Sequence, residues 1–117
     1  MADDQKQLQS LSDAYQKFQT DLQAAVTARQ RLESQQQENI GVQKEFTLLP
    51  PPSQIYKLVG PVLLRQERAE AALAVESRLV FIDREIKRLE TQIRDTQAES
   101  EEVKMQVYGL QTRMRGE

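Results

Sequence analysis

From Ala72 onward, apolar and small residues recur at alternating steps of three and four: Ala72, Val75, Leu79, Ile82, Ile86, Leu89, Ile93, Thr96, Ser100, Val103, Val107, Leu110 and Met114. A seven-residue repeat held over about six heptads, with only Thr96 and Ser100 interrupting it, predicts one long helix with a narrow apolar seam. Charged residues lie between the seam positions, among them Arg84, Glu85, Lys87, Arg88, Glu90, Arg94 and Asp95, as a solvated face requires. A stripe of period 3.5 drifts around a straight helix of period 3.6, so the helix must supercoil left-handedly about a partner. At ~1.5 Å per residue, about 48 residues make an arm of roughly 70 Å.

The partner is encoded earlier in the same chain. All four prolines, Pro50, Pro51, Pro52 and Pro61, fall in one short window. Proline-free arms of about 49 and about 56 residues lie on either side. The first arm carries the same repeat more weakly at Leu8, Leu11, Tyr15, Phe18, Leu22, Ala25 and Leu32, with Arg29, Gln36 and Asn39 at seam positions. Val42, Phe46 and Leu49 resume the stripe one residue early, a stammer that overwinds the coil. The other reading of that stretch is a helix base that loosens and packs against something besides its partner arm. Arms of similar length joined by a short non-helical piece are expected to fold back antiparallel, because an intramolecular turn avoids the entropy of finding a second chain. Asp3 and Asp4 then lie beside Arg113 and Arg115, each pair also suiting its own helix terminus. A parallel homodimer broken at its centre is the competing arrangement.

The centre does not continue the coil. Ile55 to Val59 and Val62 to Leu64 are short apolar runs rich in β-branched and aromatic residues, separated by Gly60 and Pro61. They predict a β-hairpin, with Gly60 free to take a positive φ and Pro61 placed where no donor is needed. Ile55 and Val59 share one face while Tyr56 and Leu58 share the other, so both faces are apolar. A lone hairpin of this kind is marginal in water and an aggregation hazard, which strand pairing with other subunits would resolve. A buried kink in a longer helical bundle is the alternative. The expected fold class is therefore mainly α, an antiparallel two-helix coiled coil with a small β-hairpin at its closed end. Its expected layout is a single domain over 1–117, with a helix over about 4–48, a loop at 49–53, the hairpin at 54–65 and a second helix over about 67–115.

Composition narrows the function. The chain has no cysteine, histidine or tryptophan, which removes Cys/His zinc cages, haem and iron-sulfur ligation, thiol chemistry and histidine-dependent nucleophilic catalysis. Glu99, Glu101 and Glu102 splay over different faces of a helix and lack the shaping turn of a cation loop, so no metal is expected. Among Arg84, Lys87, Arg88 and Arg94, the interleaved Asp83, Glu85, Glu90 and Asp95 cancel the field that nucleic acid would need, and the whole chain carries 16 basic against 18 acidic side chains. There is no glycine-rich phosphate loop and hence no expected nucleotide or other cofactor. No run reaches the ~18 apolar residues of a membrane span and no apolar targeting segment opens the chain, so a soluble, intracellular protein is expected; the missing catalytic side chains and phosphate loop make enzymatic activity unexpected.

Two heptad arms joined by one hairpin, with NIGVQKEFTLLP leading into IYKLVGPVLLRQE and then SRLVFIDREIKRLETQIRD, resemble the β-class subunits of prefoldin, the eukaryotic ones most of all. The resemblance spans nearly the whole chain, and YKLVGPVLLRQE is its most specific stretch. The triple proline departs from the polar turn usual in that family. The resemblance implies a subunit of a heterohexamer of two α-class and four β-class chains, in which hairpins join into a double β-barrel platform and six coiled coils hang from it. Ile55, Tyr56, Lys57, Leu58, Val59, Val62, Leu63 and Leu64 match the platform hairpin. It further implies an ATP-independent holdase whose tentacle tips take non-native proteins, chiefly actin and tubulin, and pass them to the cytosolic chaperonin. Leu8, Leu11 and Tyr15 on the first arm and Val107, Tyr108, Leu110 and Met114 on the second match those tips. Physical chemistry suits the role: helix ends can splay, Gly109 weakens the last turns by about 1 kcal/mol relative to alanine, and Met114 offers a polarisable contact for varied surfaces. The contrasting expectation is that these residues only close the coil, in a scaffold or tether subunit without clients.

Overall fold

A computed structural model describes residues 2–50 and 55–116 of the chain. Helix α1 covers Ala2–Leu48, strand β1 Ile55–Val59, strand β2 Val62–Gln66 and helix α2 Arg68–Gly116. Of the expected turn, Pro51, Pro52 and Ser53 lie outside the described residues, as does Gln54 at the expected start of the hairpin. Helix α1 opens on Asp3 and Asp4, and α2 closes on Arg113 and Arg115, so acids meet the positive end of one helix dipole and bases the negative end of the other. The chain falls into two compact units, one of Met1–Arg29 with Arg88–Glu117 and one of Gln30–Lys87.

In the first unit α1 and α2 run antiparallel. Arg113 Nη2 donates to Asp4 Oδ1 at 2.9 Å, Gln19 Nε2 donates to Ser100 Oγ at 2.7 Å, and Arg29 Nη2 lies 3.4 Å from Glu90 Oε1. The two ion pairs are substantially exposed and stabilise by at most about 1 kcal/mol each. Ala25, Leu89 and Leu110 are buried on the seam, and Ser100 with them. The Gln19 amide is what makes a buried serine hydroxyl tolerable there, since an unmatched one would cost about 1–3 kcal/mol.

In the second unit the helices again pack antiparallel, burying Ala71, Val75, Ile82 and Ile86. Asn39, also buried, donates from Nδ2 to Gln35 O at 2.7 Å and accepts from Arg78 Nη1 at 3.3 Å. Such an amide in a coil seam fixes register at some expense of stability. Two seam expectations change here. Ala71 is buried and Ala72 exposed, so the seam steps by four from Ala71 to Val75. From Ala71 to Ile82 the seam steps by four, four and three through Leu79, a local departure from the heptad alternation that resumes at Ile82, Ile86 and Leu89. Val42 is 38% exposed, leaving the resumed stripe to Phe46 on α1 and Leu49 just past its end, both half-buried.

The C-terminus of α1 has no basic residue in its last turn, and its final carbonyls have no partner further along the helix. Arg68, the first residue of α2, supplies both. Its guanidinium donates to Phe46 O at 2.8 Å and Pro50 O at 3.2 Å, and also to Leu49 O. The positive fork thus meets the negative end of the α1 dipole and ties the start of one helix to the end of the other. Replacing it by alanine is expected to lower unfolding free energy by about 1.5–3 kcal/mol, the range for hydrogen bonds to a charged group. Arg68→Lys should recover less than half of that loss, because an ammonium cannot span three carbonyls as a fork does. Urea titration followed by circular dichroism reads both; equal stability of Arg68→Ala and the parent would contradict the assignment.

Strands β1 and β2 form a two-stranded antiparallel sheet with Ile55 opposite Gln66, Tyr56 opposite Arg65, Lys57 opposite Leu64, Leu58 opposite Leu63 and Val59 opposite Val62. Gly60 and Pro61 make the turn, and Gly60 has φ 59°. Positive φ at the first central position with proline at the second is the II′ arrangement, whose twist matches that of the strands it joins.

Candidate functional site

Two surfaces carry the sequence-predicted residues, one in each unit. In the second unit the hairpin places Ile55, Lys57 and Val59 on one face of β1 and Tyr56 and Leu58 on the other, as alternation along a strand dictates. Leu58 is 67% exposed, Tyr56 and Val62 are each more than half exposed, and Val59 nearly so. Ile55 is half-buried and Lys57 exposed. Leu63 and Leu64 sit in β2 opposite Leu58 and Lys57, and their side chains are outside the described set. With only two strands in the sheet, each has its outer edge without a strand neighbour among the described residues. Exposed apolar groups on both faces and open backbone edges are the features that drive strand addition.

In the first unit, the end that holds both chain termini gathers the remaining residues. Tyr15, Val107 and Tyr108 line one groove with Ser12 and Lys104, while Leu8 and Met114 line another with Gln111 and Arg115. Lys104 Nζ stands 5.9 Å from the Tyr108 ring centre, within reach of a cation–π attraction. The seven residues are not equivalent. Leu8, Leu11, Tyr15, Val107 and Met114 are half-buried, Tyr108 is more than half exposed, and Leu110 is only 5% exposed. Leu110 therefore closes the coil, and it can meet another chain only if the helices part. Met105 was not singled out by the heptad, yet it is 61% exposed and lies one turn from Tyr108 on α2. The signal for it is a methionine off the seam among Glu101, Glu102, Lys104 and Gln106, where a solvated face has no use for an apolar side chain.

Both surfaces are mainly apolar. Among the described residues no cluster of three or more His, Cys, Asp or Glu could hold a metal ion, and no helix is long and apolar enough to cross a membrane. What both surfaces offer is exposed apolar area.

Known proteins share this combination. Residues 6–113 match the sequence model of the family described as Prefoldin subunit. Prefoldin subunit 6 of Homo sapiens is 43% identical over 107 residues, covering 92% of this chain and 83% of that one. Prefoldin subunit 6 of Saccharomyces cerevisiae is 43% identical over 103 residues, covering 88% and 90%. The crystal structure of the prefoldin beta subunit from Thermococcus strain KS-1 superposes with a TM-score of 0.80 over 95% of each chain at 21% identity, a likeness of fold. A match over nearly the full length, at an identity that heptad periodicity alone does not produce, places this chain in the prefoldin subunit family.

Proposed function

We propose that this chain takes a β-class position in a prefoldin hexamer of two α-class and four β-class subunits. In this reading its hairpin edges pair with strands of sibling subunits, and the terminal end of its helix pair holds non-native chains. The observation that carries the reading is the hairpin: two short strands with apolar side chains exposed on both faces, in a chain whose family members are subunits. Left alone, such a hairpin exposes area that water penalises at roughly 25 cal/mol per Å². Paired within a platform, the same residues become interior.

Capture at the other surface follows the same physics. Tyr108 and Met105 present a rigid amphipathic ring and a flexible thioether, contacts that tolerate many sequences. Each contact is weak, and several tips acting on one client raise the effective concentration so that the sum holds it. The clients are non-native actin and tubulin, released to the cytosolic chaperonin in the cytoplasm, and the cycle uses no nucleotide. The family comprises chaperone subunits, and no catalytic step is assigned to this chain.

Light scattering of chemically denatured actin diluted into buffer tests the reading. The complex assembled from this chain and its siblings, without nucleotide, should suppress aggregation at near-stoichiometric concentration. If scattering rises as fast as in buffer alone while the complex stays assembled, the chain is a scaffold subunit without clients.

A further inference from the structure

One apolar surface belongs neither to the seam nor to the hairpin nor to the terminal end. On the outer face of α2, Leu73, Val80 and Phe81 are each more than half exposed, with Leu73 reaching 63%, and all three line one shallow groove with Glu76, Ser77 and Arg84. Their spacing, i, i+7 and i+8, makes a stripe along one side of the helix. The buried Ala71, Val75, Ile82 and Ile86 form a different stripe, so this stretch of α2 is apolar on two sides. Further along, the outward positions become Lys87, Arg88, Thr91 and Asp95, all exposed. The second stripe is therefore confined to the first four turns after the hairpin. A contiguous exposed apolar patch of this kind marks a contact surface.

We infer that this face seats against the helix base of a sibling prefoldin subunit whose hairpin pairs with this one. The inference rests on the edge-pairing reading above, and strand geometry is what favours this occupant. Paired strands lie about 4.8 Å apart, so one hairpin advances a sheet by only about 10 Å. A helix with its side chains is about 10–12 Å across, and packed helix axes lie 8–10 Å apart. Helix α2 starts at Arg68, with only Glu67 between it and the end of β2 at Gln66, and so has almost no linker with which to step aside. Helices rooted on adjoining hairpins must begin within about one helix diameter of each other, and the outer stripe covers only the turns where that crowding applies. The patch is small beside the ~1,600 Å² of a standard interface, so it reinforces the hairpin contact instead of replacing it.

The test uses the complex reconstituted from this chain and purified sibling subunits. Val80→Glu with Phe81→Glu should leave the helical signal of the free chain unchanged and raise the concentration of half-dissociation, read by native mass spectrometry on dilution, by about tenfold or more. A photoreactive benzophenone side chain at position 81 should cross-link to a sibling subunit in the client-free complex. An unchanged half-dissociation concentration, or a cross-link that forms only to added denatured actin, overturns the inference and in the second case makes the patch a client surface. Leu58→Asp with Val59→Asp on the hairpin separates the two levels. If that variant still assembles, the edge-pairing reading fails and this inference with it. If it does not assemble while the Val80/Phe81 variant dissociates like the parent, only the inference fails.

Discussion

Leu58→Asp combined with Val59→Asp is expected to abolish incorporation into a complex with sibling subunits while leaving the free chain as helical and as resistant to urea as the parent. The two halves of that expectation come from different physics. In the free chain Leu58 is largely exposed and Val59 about half exposed, so a carboxylate at either position can stay hydrated and changes folding stability by no more than about 0.5 kcal/mol. In a joined sheet the residues lie on opposite faces, and whichever face is covered must take an unpaired carboxylate out of water. The effective penalty is several kcal/mol per ion, and each 1.4 kcal/mol is a factor of ten in affinity. A loss of a thousandfold or more follows, which native mass spectrometry or gel filtration registers as absence of the complex. Retained assembly would mean that the hairpin is not the joint.

Met105→Gln with Tyr108→Gln is expected to act on the other surface alone. Both positions are more than half exposed on α2, and glutamine is a good helix former, so fold and assembly should be untouched. Client holding should weaken, because one member of a multivalent set has lost its contacts; the concentration of complex that halves actin aggregation should rise by about tenfold. Leu110→Gln makes the informative contrast. Leu110 is buried between the helices, so its replacement should lower stability by about 2–5 kcal/mol, as removal of a buried leucine from a seam does. An unchanged holding concentration for the Met105/Tyr108 variant would shift client contact elsewhere on the chain.

The antiparallel helix pair and its hairpin were legible because each rests on periodicity or on a residue of narrow permission. A heptad from Val75 to Met114 specifies a coiled-coil helix for that stretch, and a Gly-Pro between two β-branched runs allows few turns. The departures have physical reasons too. Ala71 and Ala72 are adjacent and equally small, so hydrophobic pattern cannot choose between them; the choice is made by where α1 lies beside the first turn of α2. Val42 belongs to a stripe in the sequence but is exposed in the fold, while Asn39 and Phe46 on either side of it take the more buried positions. Arg68 was invisible as a cap because its partners are backbone carbonyls of Phe46, Leu49 and Pro50, and carbonyls carry no sequence signature. The outer stripe of Leu73, Val80 and Phe81, like Met105, lay outside the seam on which a heptad reading concentrates. In hindsight its signal is apolar residues at positions the repeat assigns to solvent.

The proposed client-holding role of the terminal end is tested most directly by position-specific cross-linking of the assembled complex to denatured actin. With a benzophenone side chain at position 108 the client should be captured in high yield, whereas the same group at position 91, an exposed site on the charged stretch of α2, should capture little. Equal capture from both positions, or none from position 108 while the complex remains assembled, would contradict the account.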